Sequence, residues 1–431
     1  MNWVYVKYFK DHDGEEITVR GWVYNKRESG KIRFLIVRDG TGLVQCVLVK
    51  SELTLEEWEK FSQLTQESSL EVTGMLRAEV RAPGGFELIV KSINIIQIAI
   101  DYPITLKEHN VDFLLDRRHL WLRSSRQHSI MLIRNELIKA TRDYFYDNDF
   151  VLIDTPLITG SIGETASTLF KTEYYDFGTA YLAQTGQLYL EAACMAHGKV
   201  YCFGPSFRAE KSKTRRHLSE YWHVEAEVAF YDNNDNMRLQ ENYVSHIVSR
   251  VSQKCRPQLE ALERDISLLE KVTTPFHRLS YDDAVIKLQQ VGSDIKWGDD
   301  LGADDETILT QQYEKPIFIM NYPSKAKAFY MKRNPDNPET VLCSDMLAPE
   351  GYGEIVGASQ REDDYDLLLH RIREEKLPEE SYGWFLDLRK YGSVPHSGFG
   401  LGIERTVTWI CGLKHVRESI PFPRMLYRLY P

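Results

Sequence analysis

Short runs in which apolar and polar residues alternate fill the first hundred positions of the chain. Alternation of this kind places apolar side chains on one face of a β-strand, and turn signals such as Asp39-Gly40 and Pro83-Gly84 separate the runs. Five strands are predicted, with one helix between the third and the fourth strand, in the sequence LTLEEWEKFSQLTQ. The first part of the chain is therefore predicted to be a small antiparallel barrel.

Positive charge is concentrated on the first two predicted strands. The whole chain carries 53 Lys and Arg against 63 Asp and Glu, a net charge of −10, which argues against a strongly basic nucleic-acid-binding protein but leaves room for a local basic patch. Here six basic residues stand against one acid, Glu28: Arg20, Lys26, Arg27, Lys31, Arg33 and Arg38. Phe34 adds a ring and Gln45 an amide, a combination that suits base stacking. The strand order is that of an OB fold, whose open face binds single-stranded nucleic acid or oligosaccharide, although other small antiparallel barrels share it.

Helical periodicity appears in the second part of the chain. Apolar residues recur at steps of three and four from Ile130 to Tyr144, which predicts an amphipathic helix. Strands are predicted beyond it at 180–191, 199–210 and 219–231, followed by a long helix near 236–255. Long, mainly antiparallel strands with a few intervening helices indicate an α+β fold.

These patterns divide the chain into a barrel at residues 1–100, a linker at 101–123 and an α+β domain at 124–431. The charged, less regular stretch at about 260–320 is predicted to be a small insertion or a helical cover. The six cysteines are scattered without a metal-binding pair, and no run is long and apolar enough for a signal peptide or a membrane span. The sequence thus predicts a cytoplasmic enzyme with reduced thiols and no membrane partner.

A cationic hairpin is the first candidate for chemistry. Arg208 and Glu210 end one predicted strand, a loop rich in Lys and Arg follows, and the chain returns through Tyr221. Planar guanidinium groups match phosphate oxygens, so the hairpin suits a polyanion such as a nucleotide. A solvated charged loop is the alternative.

The segment GFGLGIER, ending in Arg405, is the second candidate. Its small residues are interpreted as a platform on which a ligand lies flat, with Arg405 meeting the outer phosphate of a nucleotide. Asp345 and Glu354 flank a tight turn and suit a magnesium ion beside phosphates, the alternative for each being a surface or capping acid.

Alternation along one predicted strand places three further polar residues, His223, Glu225 and Glu227, on a single face. The pattern is compatible with a metal site, but an ordinary strand with one polar face produces it more often.

Taken together, these segments resemble the three motifs of class II aminoacyl-tRNA synthetases, in the subgroup for aspartate, asparagine and lysine. Motif 1 corresponds to the helix from Ile130 and the strand through Pro156, motif 2 to FRAE with its loop and return strand, and motif 3 to GFGLGIER. The resemblance covers nearly the whole chain, and it implies an OB fold that binds the anticodon followed by a class II catalytic domain.

The predicted strand at 180–191 resembles asparaginyl-tRNA synthetases in particular, because aspartyl enzymes place a lysine where Leu190 stands. The resemblance puts Glu191 next in line, and a carboxylate, as a pure acceptor, suits the amide NH2 of L-asparagine, while Arg361 donates to its carbonyl oxygen. Aspartate would bring like charges together, at a cost of up to ~4 kcal/mol at about 4 Å. The expected activity is ATP-dependent ligation of L-asparagine to tRNA(Asn) through asparaginyl-adenylate.

The resemblance also implies roles for the ATP site. Arg208 contacts the α-phosphate and the substrate carboxylate, and Arg405 covers adenine or reaches the γ-phosphate; these two are the expected catalytic residues. Glu210 meets the adenine amino group. Tyr221 stacks on adenine, where the family usually has phenylalanine, and His217 contacts the outer phosphates.

Further roles concern the amino acid, the metal and the partners. Glu164 recognises the α-ammonium group with the help of Gln187, although the family more often has glycine after this acid, where Thr165 stands here. Asp345 and Glu354 bind Mg2+ beside ATP. In the barrel, three residues are expected to read the anticodon: Arg27, Phe34 and Gln45. Motif 1 implies a homodimer.

Three rival interpretations remain from the sequence. An aspartyl-tRNA synthetase is disfavoured by Leu190. An asparagine synthetase built on the same catalytic domain, using aspartyl-adenylate, is expected to lack the barrel. A non-catalytic RNA-binding relative would have little reason to keep the cationic motif residues Arg208 and Arg405.

Overall fold

The computed structural model describes residues 3–160 and 168–431, and it divides into two compact units, Met1–Asn110 and Val111–Pro431. The division falls within the stretch 101–123 that was predicted as a linker. The second half of that stretch is helical, with α2 at Val111–Asp116 and α3 at Arg118–Trp121, where α1 is the single helix of the first unit.

The first unit is a closed five-stranded barrel, which confirms the predicted OB fold. Its strands follow the order β1-β2-β3-β5-β4 around the barrel. Their bounds, with the helix, are β1 Glu16–Ser29, β2 Ile32–Arg38, β3 Leu43–Val49, α1 Leu55–Gln63, β4 Ser69–Ala78 and β5 Phe86–Gln97. Alternate residues of β2, such as Leu35 and Val37, are fully buried, as the alternation predicts. The Thr54 hydroxyl caps α1 by accepting from the Glu57 N–H at 3.2 Å.

The second unit is the predicted α+β domain. Its remaining helices are α4 Ser125–Asp147, α5 Gln187–His197, α6 Asn233–Lys254, α7 Arg256–Ala261, α8 Ile266–Glu270, α9 Tyr281–Gln290, α10 Ala303–Thr310, α11 Tyr365–Glu374, α12 Gly383–Lys390 and α13 Ile403–Ile410. Its strands are β6 Val151–Leu152, β7 Ile158–Thr159, β8 Lys171–Glu173, β9 Thr179–Leu182, β10 Lys199–Phe207, β11 Glu220–Ala229, β12 His277–Ser280, β13 Ile317–Met320, β14 Ser344–Ala348, β15 Gly353–Gln360 and β16 His396–Gly402.

Eight of these strands form the main sheet, in the order β12-β13-β14-β15-β16-β11-β10-β6. Neighbours are antiparallel except at its ends, where β12 pairs with β13 and β6 with β10 in parallel. Residues 260–320, predicted as an insertion or cover, include helices but also supply β12 and β13 to the sheet. The core beneath the sheet joins α4 to α6, through residues such as Leu137 and Val244, with Phe399 of β16 packed on them.

The segment 180–191 is the main secondary-structure correction. It was predicted as one strand, but β9 ends at Leu182 and α5 begins at Gln187. Gly186 lies at the turn between them, where a Cβ atom would come 2.5 Å from the Thr155 hydroxyl. Leu188 and Leu190 are both buried, as the alternation predicted, but they lie on a helix and not on a strand. Two apolar residues two positions apart fit the strand period, but α5 is buried on two sides, with Leu188 packed in the cluster of Phe385 and Leu190 in that of Val200. The later Ala-rich stretch and Gly198 were the missed helical signals.

The predictions of reduced cysteines and of no membrane-spanning segment can be compared with the described residues. All six cysteines are free and buried. Across residues 3–160 and 168–431, no helix has both the length and the apolar character needed to cross a membrane.

Candidate active site

The predicted catalytic residues meet at one cavity of about 480 Å³ in the second unit. Nine of them line it: Gln187, Arg208, Glu210, His217, Tyr221, Asp345, Glu354, Arg361 and Arg405. Glu164 lies outside the described residues. Glu191 is not part of the lining.

Motif 2 forms one wall of the cavity. Strands β10 and β11 pair up to Phe207 and Glu220, so the cationic segment between them is the connection of a hairpin. The Arg208 N–H donates to the Ser219 carbonyl at 3.0 Å, and its guanidinium lies 5.8 Å from the centre of the Tyr221 ring. Glu210 lies 2.6 Å from the His217 ring, which lowers the pKa of the carboxyl group. The hairpin therefore presents a ring, a cation and a carboxylate to the same space.

Two glycines of motif 3 have a packing role in addition to the predicted one, and Gly400 and Gly402 both line the cavity. A Cβ atom at Gly398 would collide with the Glu227 carboxylate, and a Cβ atom at Gly400 would come 2.5 Å from the His223 ring. Side chains of β11 thus occupy the space beside Gly398 and Gly400, whereas a Cβ atom at Gly402 would come no closer than 4.0 Å to Arg405. Gly400 still borders the cavity. Close packing between two strands explains these small residues.

Arg405 lies on the first turn of α13 and faces the cavity. Its Nη1 donates to the Glu354 carbonyl at 3.0 Å and to the Glu354 carboxylate at 3.1 Å. Burial opposes ionisation of Glu354, but Arg405 and other cations lower the pKa of this carboxyl group below its usual value. The pair keeps a cation and an anion fixed side by side at the cavity wall.

Two charged residues that the sequence analysis missed stand beside this pair. Lys327 donates to Asp345 at 2.7 Å, and burial raises the pKa of Asp345 to about 6. Glu306, on α10, accepts from Arg216 at 2.5 Å, and burial together with Glu354 raises its pKa to about 7. Lys327 lines the cavity, and Glu306 lines an adjoining one that shares Glu354 and Arg405 with it. Neither residue belongs to a recognisable local motif, because each comes from an element that is distant in the sequence.

Glu191 does not lie where the sequence analysis placed it, in contact with the amino acid. Its side chain is completely buried, and its oxygens accept from Gln187 at 3.0 Å, from His396 at 3.0 Å and from Arg389 at 2.6 Å. Burial raises the pKa of Glu191, but Arg389 and His396 outweigh it and lower the value to about 2. A carboxylate enclosed by three donors does not face the cavity, so the expected direct contact with the amino acid is corrected.

Arg361 lines the cavity but is paired within the protein. It forms a two-point ion pair with Glu227, and its third nitrogen donates to the Ser359 hydroxyl at 2.7 Å. Arg361 and Glu227 are 3% and 1% exposed, so their charges neutralise each other inside the wall. The Arg361–Glu227 pair therefore adds little net charge to its end of the cavity.

Glu225, which the sequence analysis considered only as part of a metal site, lines the same end. It accepts from the Thr185 hydroxyl and from the Gly186 N–H at 2.7 Å. Its position follows from strand geometry, because successive side chains of β11 point to opposite faces, which places His223, Glu225 and Glu227 on one face.

The metal interpretation of those three residues is not supported. Glu227 is occupied by Arg361, and the His223 ring lies 3.5 Å from Glu225. Within the described part of the chain, the candidate cluster of metal-ligating atoms is Glu191, Glu227 and His396. Both carboxylates of that cluster already have arginine counter-ions, so it does not need a cation.

The barrel brings together the three residues expected to read the anticodon. The Arg27 guanidinium lies 4.1 Å from the centre of the Phe34 ring, and its Nη2 donates to Gln45 at 3.4 Å. The surrounding basic patch is smaller than predicted, because Arg33 donates to the Trp58 carbonyl and Arg38 pairs with Glu67.

Arg20 and Lys26 also have partners inside the barrel domain. Arg20 pairs with Glu71 at 2.8 Å, and Lys26 donates to the Phe61 carbonyl at 3.0 Å. Together with Arg27, five of the six cations thus make contacts within the domain, which a charge count along the sequence does not reveal.

Two family models match the chain, one for each of its two units. The family model for class II tRNA synthetases (D, K and N) matches residues 110–426, and the model for the OB-fold nucleic acid binding domain matches residues 17–96. The chain is 56% identical to an asparagine–tRNA ligase from Desulforamulus reducens, and the match covers the full length of both proteins.

Solved structures agree with these matches. A crystal structure of asparaginyl-tRNA synthetase from Pyrococcus horikoshii complexed with asparaginyl-adenylate is 46% identical, with a TM-score of 0.97 and full coverage of both chains. Asparaginyl-tRNA synthetase from Entamoeba histolytica is 35% identical, with a TM-score of 0.90 and 97% coverage of each chain. The chain therefore belongs to the asparaginyl-tRNA synthetases, the class II asparagine–tRNA ligases with an N-terminal OB fold.

Proposed function

We propose that this chain joins L-asparagine to tRNA(Asn) in two steps within the cavity described above. The asparagine carboxylate attacks the α-phosphorus of ATP, forming asparaginyl-adenylate and releasing pyrophosphate. A terminal ribose hydroxyl of the tRNA then attacks the activated carbonyl, and AMP leaves. The relatives from Pyrococcus and Entamoeba were each solved in complex with asparaginyl-adenylate, which supports this intermediate.

The observation that carries the proposal is a single cavity in which Arg208 and Arg405 line one wall, while Arg361, neutralised by Glu227, lies with the Glu225 carboxylate at the other end. Arg208 and Arg405 provide fixed positive charge, where phosphate charge shifts during the attack. Arg361 and Glu227 neutralise each other at the other end. Such a cavity favours a nucleotide beside an uncharged amide. Catalysis rests on alignment and electrostatics, without a protein nucleophile.

We assign the ATP contacts as the family resemblance implies, to residues that all line the cavity. Arg208 binds the α-phosphate and the substrate carboxylate, and Glu210 accepts from the adenine amino group. Tyr221 stacks on adenine, with Arg405 on its other face or at the γ-phosphate. His217, held beside Glu210, contacts the outer phosphates.

For the asparagine side chain, we assign the acceptor role to Glu225 in place of Glu191. Glu225 lines the cavity, its carboxylate accepts hydrogen bonds at this wall, and Arg361 lies at the same end to donate to the amide oxygen. Gln187 contributes to recognition of the α-ammonium group, and Glu164 is proposed for the same group from the sequence.

Mg2+ is the expected metal of the reaction, and the donor set fits it. Asp345 and Glu354 offer hard carboxylate oxygens next to cations suited to phosphate. When bound, the ion would neutralise the charge of the ATP phosphates. Asp345 would exchange its contact with Lys327 for the metal or share it.

The barrel is proposed to bind the anticodon through Arg27, Phe34 and Gln45. Phe34 is only partly buried and carries a guanidinium over one face, which leaves an arrangement suited to a stacked base. Since aspartate, asparagine and lysine tRNAs share the central uridine, this site alone does not define the amino acid.

A homodimer through motif 1 is proposed on the basis of exposed apolar residues after α4. Four of them follow one another on and around β6 and β7, each at least 41% exposed: Val151, Leu152, Leu157 and Ile158. An apolar strip of this kind suits a second copy of the chain, which light scattering would detect. A cytoplasmic location fits an enzyme that supplies tRNA for translation.

Aminoacylation of tRNA(Asn) and tRNA(Asp) transcripts with either amino acid tests the proposal. We expect asparagine to be attached to tRNA(Asn) and aspartate to neither transcript. Attachment of aspartate would indicate the aspartyl enzyme, and free asparagine formed from aspartate and ammonia would indicate the synthetase-like paralogue.

A further inference from the structure

We propose that Glu191 is a positioning residue, which orients the amide of Gln187 so that its carbonyl oxygen faces the substrate ammonium group. This inference deepens the proposed function and depends on it. It gives a purpose to a fully buried carboxylate that no contact with the amino acid explains.

Helix geometry brings the two side chains together. Gln187 is the first residue of α5 and Glu191 lies one turn later, so they share a face of the helix. Helical side chains lean toward the N-terminus, which directs Glu191 toward Gln187. The Gln187 Nε2 donates to the Glu191 Oε1 at 3.0 Å.

The chemistry of this contact fixes the direction of the amide. An ionised carboxylate only accepts hydrogen bonds, so the NH2 end of Gln187 must point to Glu191. The carbonyl end of Gln187 then points away from Glu191. Gln187 itself lines the cavity, where a carbonyl oxygen suits an ammonium group and an NH2 group does not.

Two further elements hold Glu191 in place and charged. Arg389, on α12, donates to Glu191 at 2.6 Å and from Nε to the Glu362 carbonyl at 2.8 Å. His396, the first residue of β16, donates to the same carboxylate oxygen at 3.0 Å. All three side chains of this network are completely buried. Helix α5, helix α12 and strand β16 therefore meet at one carboxylate, whose other oxygen faces Gln187.

A double-mutant cycle in the full-length enzyme tests the proposal. Glu191→Gln replaces the pure acceptor by an amide, and Gln187→Met removes the oriented group with little change in volume. ATP–pyrophosphate exchange gives separate KM values for asparagine and ATP. We expect Glu191→Gln to raise the asparagine KM roughly tenfold to a hundredfold, as for a lost hydrogen bond to a charged group, with the ATP KM unchanged.

Coupling between the two substitutions distinguishes a positioning role of Glu191 from an independent effect on asparagine binding. In the Gln187→Met background, Glu191→Gln should raise the asparagine KM no further. Additive effects of the two substitutions, or an unchanged KM in folded Glu191→Gln, would overturn the proposal. Glu241→Gln is the control, because Glu241 is a similarly buried carboxylate that accepts from the Phe276 N–H; this variant should leave both KM values unchanged.

Thermal unfolding shows whether each variant is folded. If Glu191→Gln does not fold, Glu191→Asp takes its place in the cycle, because it keeps the charge that Arg389 pairs with and shortens the reach to Gln187: a raised asparagine KM that is absent in the Gln187→Met background supports the proposal, and additive effects or an unchanged asparagine KM overturn it. Exchange by the wild-type enzyme separates this inference from the proposed function, because an enzyme that does not activate asparagine would refute the function itself.

Discussion

Arg361 holds Glu227 in a two-point ion pair, with Nε 2.9 Å from one carboxylate oxygen and Nη2 3.0 Å from the other. Both side chains are almost entirely buried, and Arg361 lines the cavity. The arginine can therefore donate a hydrogen bond to a substrate but offers little uncompensated positive charge. An amide benefits from such a donor, whereas a carboxylate would also need a counter-ion.

The first prediction concerns this pair. Glu227→Gln leaves Arg361 buried without its counter-ion, so selectivity for asparagine over aspartate should fall by at least about tenfold, the equivalent of ~1.4 kcal/mol. Loss of one partner of a buried pair should also destabilise the fold by about 3 to 5 kcal/mol. Pyrophosphate exchange with both amino acids and urea unfolding measure the two effects.

Glu379→Gln is the matched control for that substitution. Arg373 and Glu379 form the same two-point geometry on an exposed surface. This variant should retain wild-type selectivity and stability. Unchanged selectivity in Glu227→Gln would show that the amide is recognised without the neutralised arginine.

The second prediction concerns Arg405. Replacement by Gln removes a fixed cation from the phosphate end and should lower the exchange rate roughly 10²- to 10³-fold, the usual loss for one electrostatic donor at a reacting centre. Pre-steady-state measurement of adenylate formation checks the chemical step directly. An unchanged rate would remove Arg405 from the catalytic residues.

The third prediction separates the barrel from the chemistry. Phe34→Leu removes the ring beneath Arg27, so tRNA binding should weaken by about 1 to 3 kcal/mol, the value of one stacked base. Pyrophosphate exchange without tRNA should stay normal. Tyr8→Leu is the control, since Lys7 lies over the exposed Tyr8 ring in the same way, at 4.8 Å. Equal losses in both variants would contradict a specific role for Phe34.

The fourth prediction is a pH dependence of stability. Burial and the neighbouring Arg417 and Arg215 lower the pKa of His415 from 6.5 to about 4. Between those values the unfolded chain binds a proton that the folded chain does not, so the free energy of unfolding falls as the pH drops from 6.5 to 4. For a half-buried ring we expect a loss of about 1 to 2 kcal/mol.

His415→Asn tests the assignment. Asparagine offers a side-chain oxygen to the Arg417 N–H, which His415 now binds through Nδ1 at 3.2 Å, and it does not titrate. The difference in unfolding free energy between pH 7 and pH 5 should shrink in this variant. The same difference in both proteins would assign the dependence to other groups.

Much of the fold was predictable because its signals are local. Alternation identified the barrel strands, and steps of three and four identified α4. The prediction of a strand over 180–191 was wrong, because Leu188 and Leu190 alternate as in a strand although the fold buries them on opposite sides of α5. The packing around Gly186 comes from Thr155 and Cys202, which are distant in the sequence.

Prediction of the site was limited in the same way, because contacts between distant parts of the chain leave no local signal. Arg208, Glu210 and Arg405 belong to contiguous motifs, and the structure places them at one cavity. Lys327, at this cavity, and Glu306, at the adjoining one, were missed because only the fold brings them to the site. Glu191 was given a direct role because its enclosure by Arg389 and His396, about 200 positions later, has no trace in its neighbourhood.

Exchange of labelled pyrophosphate into ATP by the wild-type enzyme, with asparagine or aspartate as the sole amino acid, tests the central claim most directly. A cavity whose arginine is already neutralised should support rapid exchange with asparagine and exchange with aspartate at least about a hundredfold slower, or ~2.7 kcal/mol. Equal or faster exchange with aspartate would contradict the account.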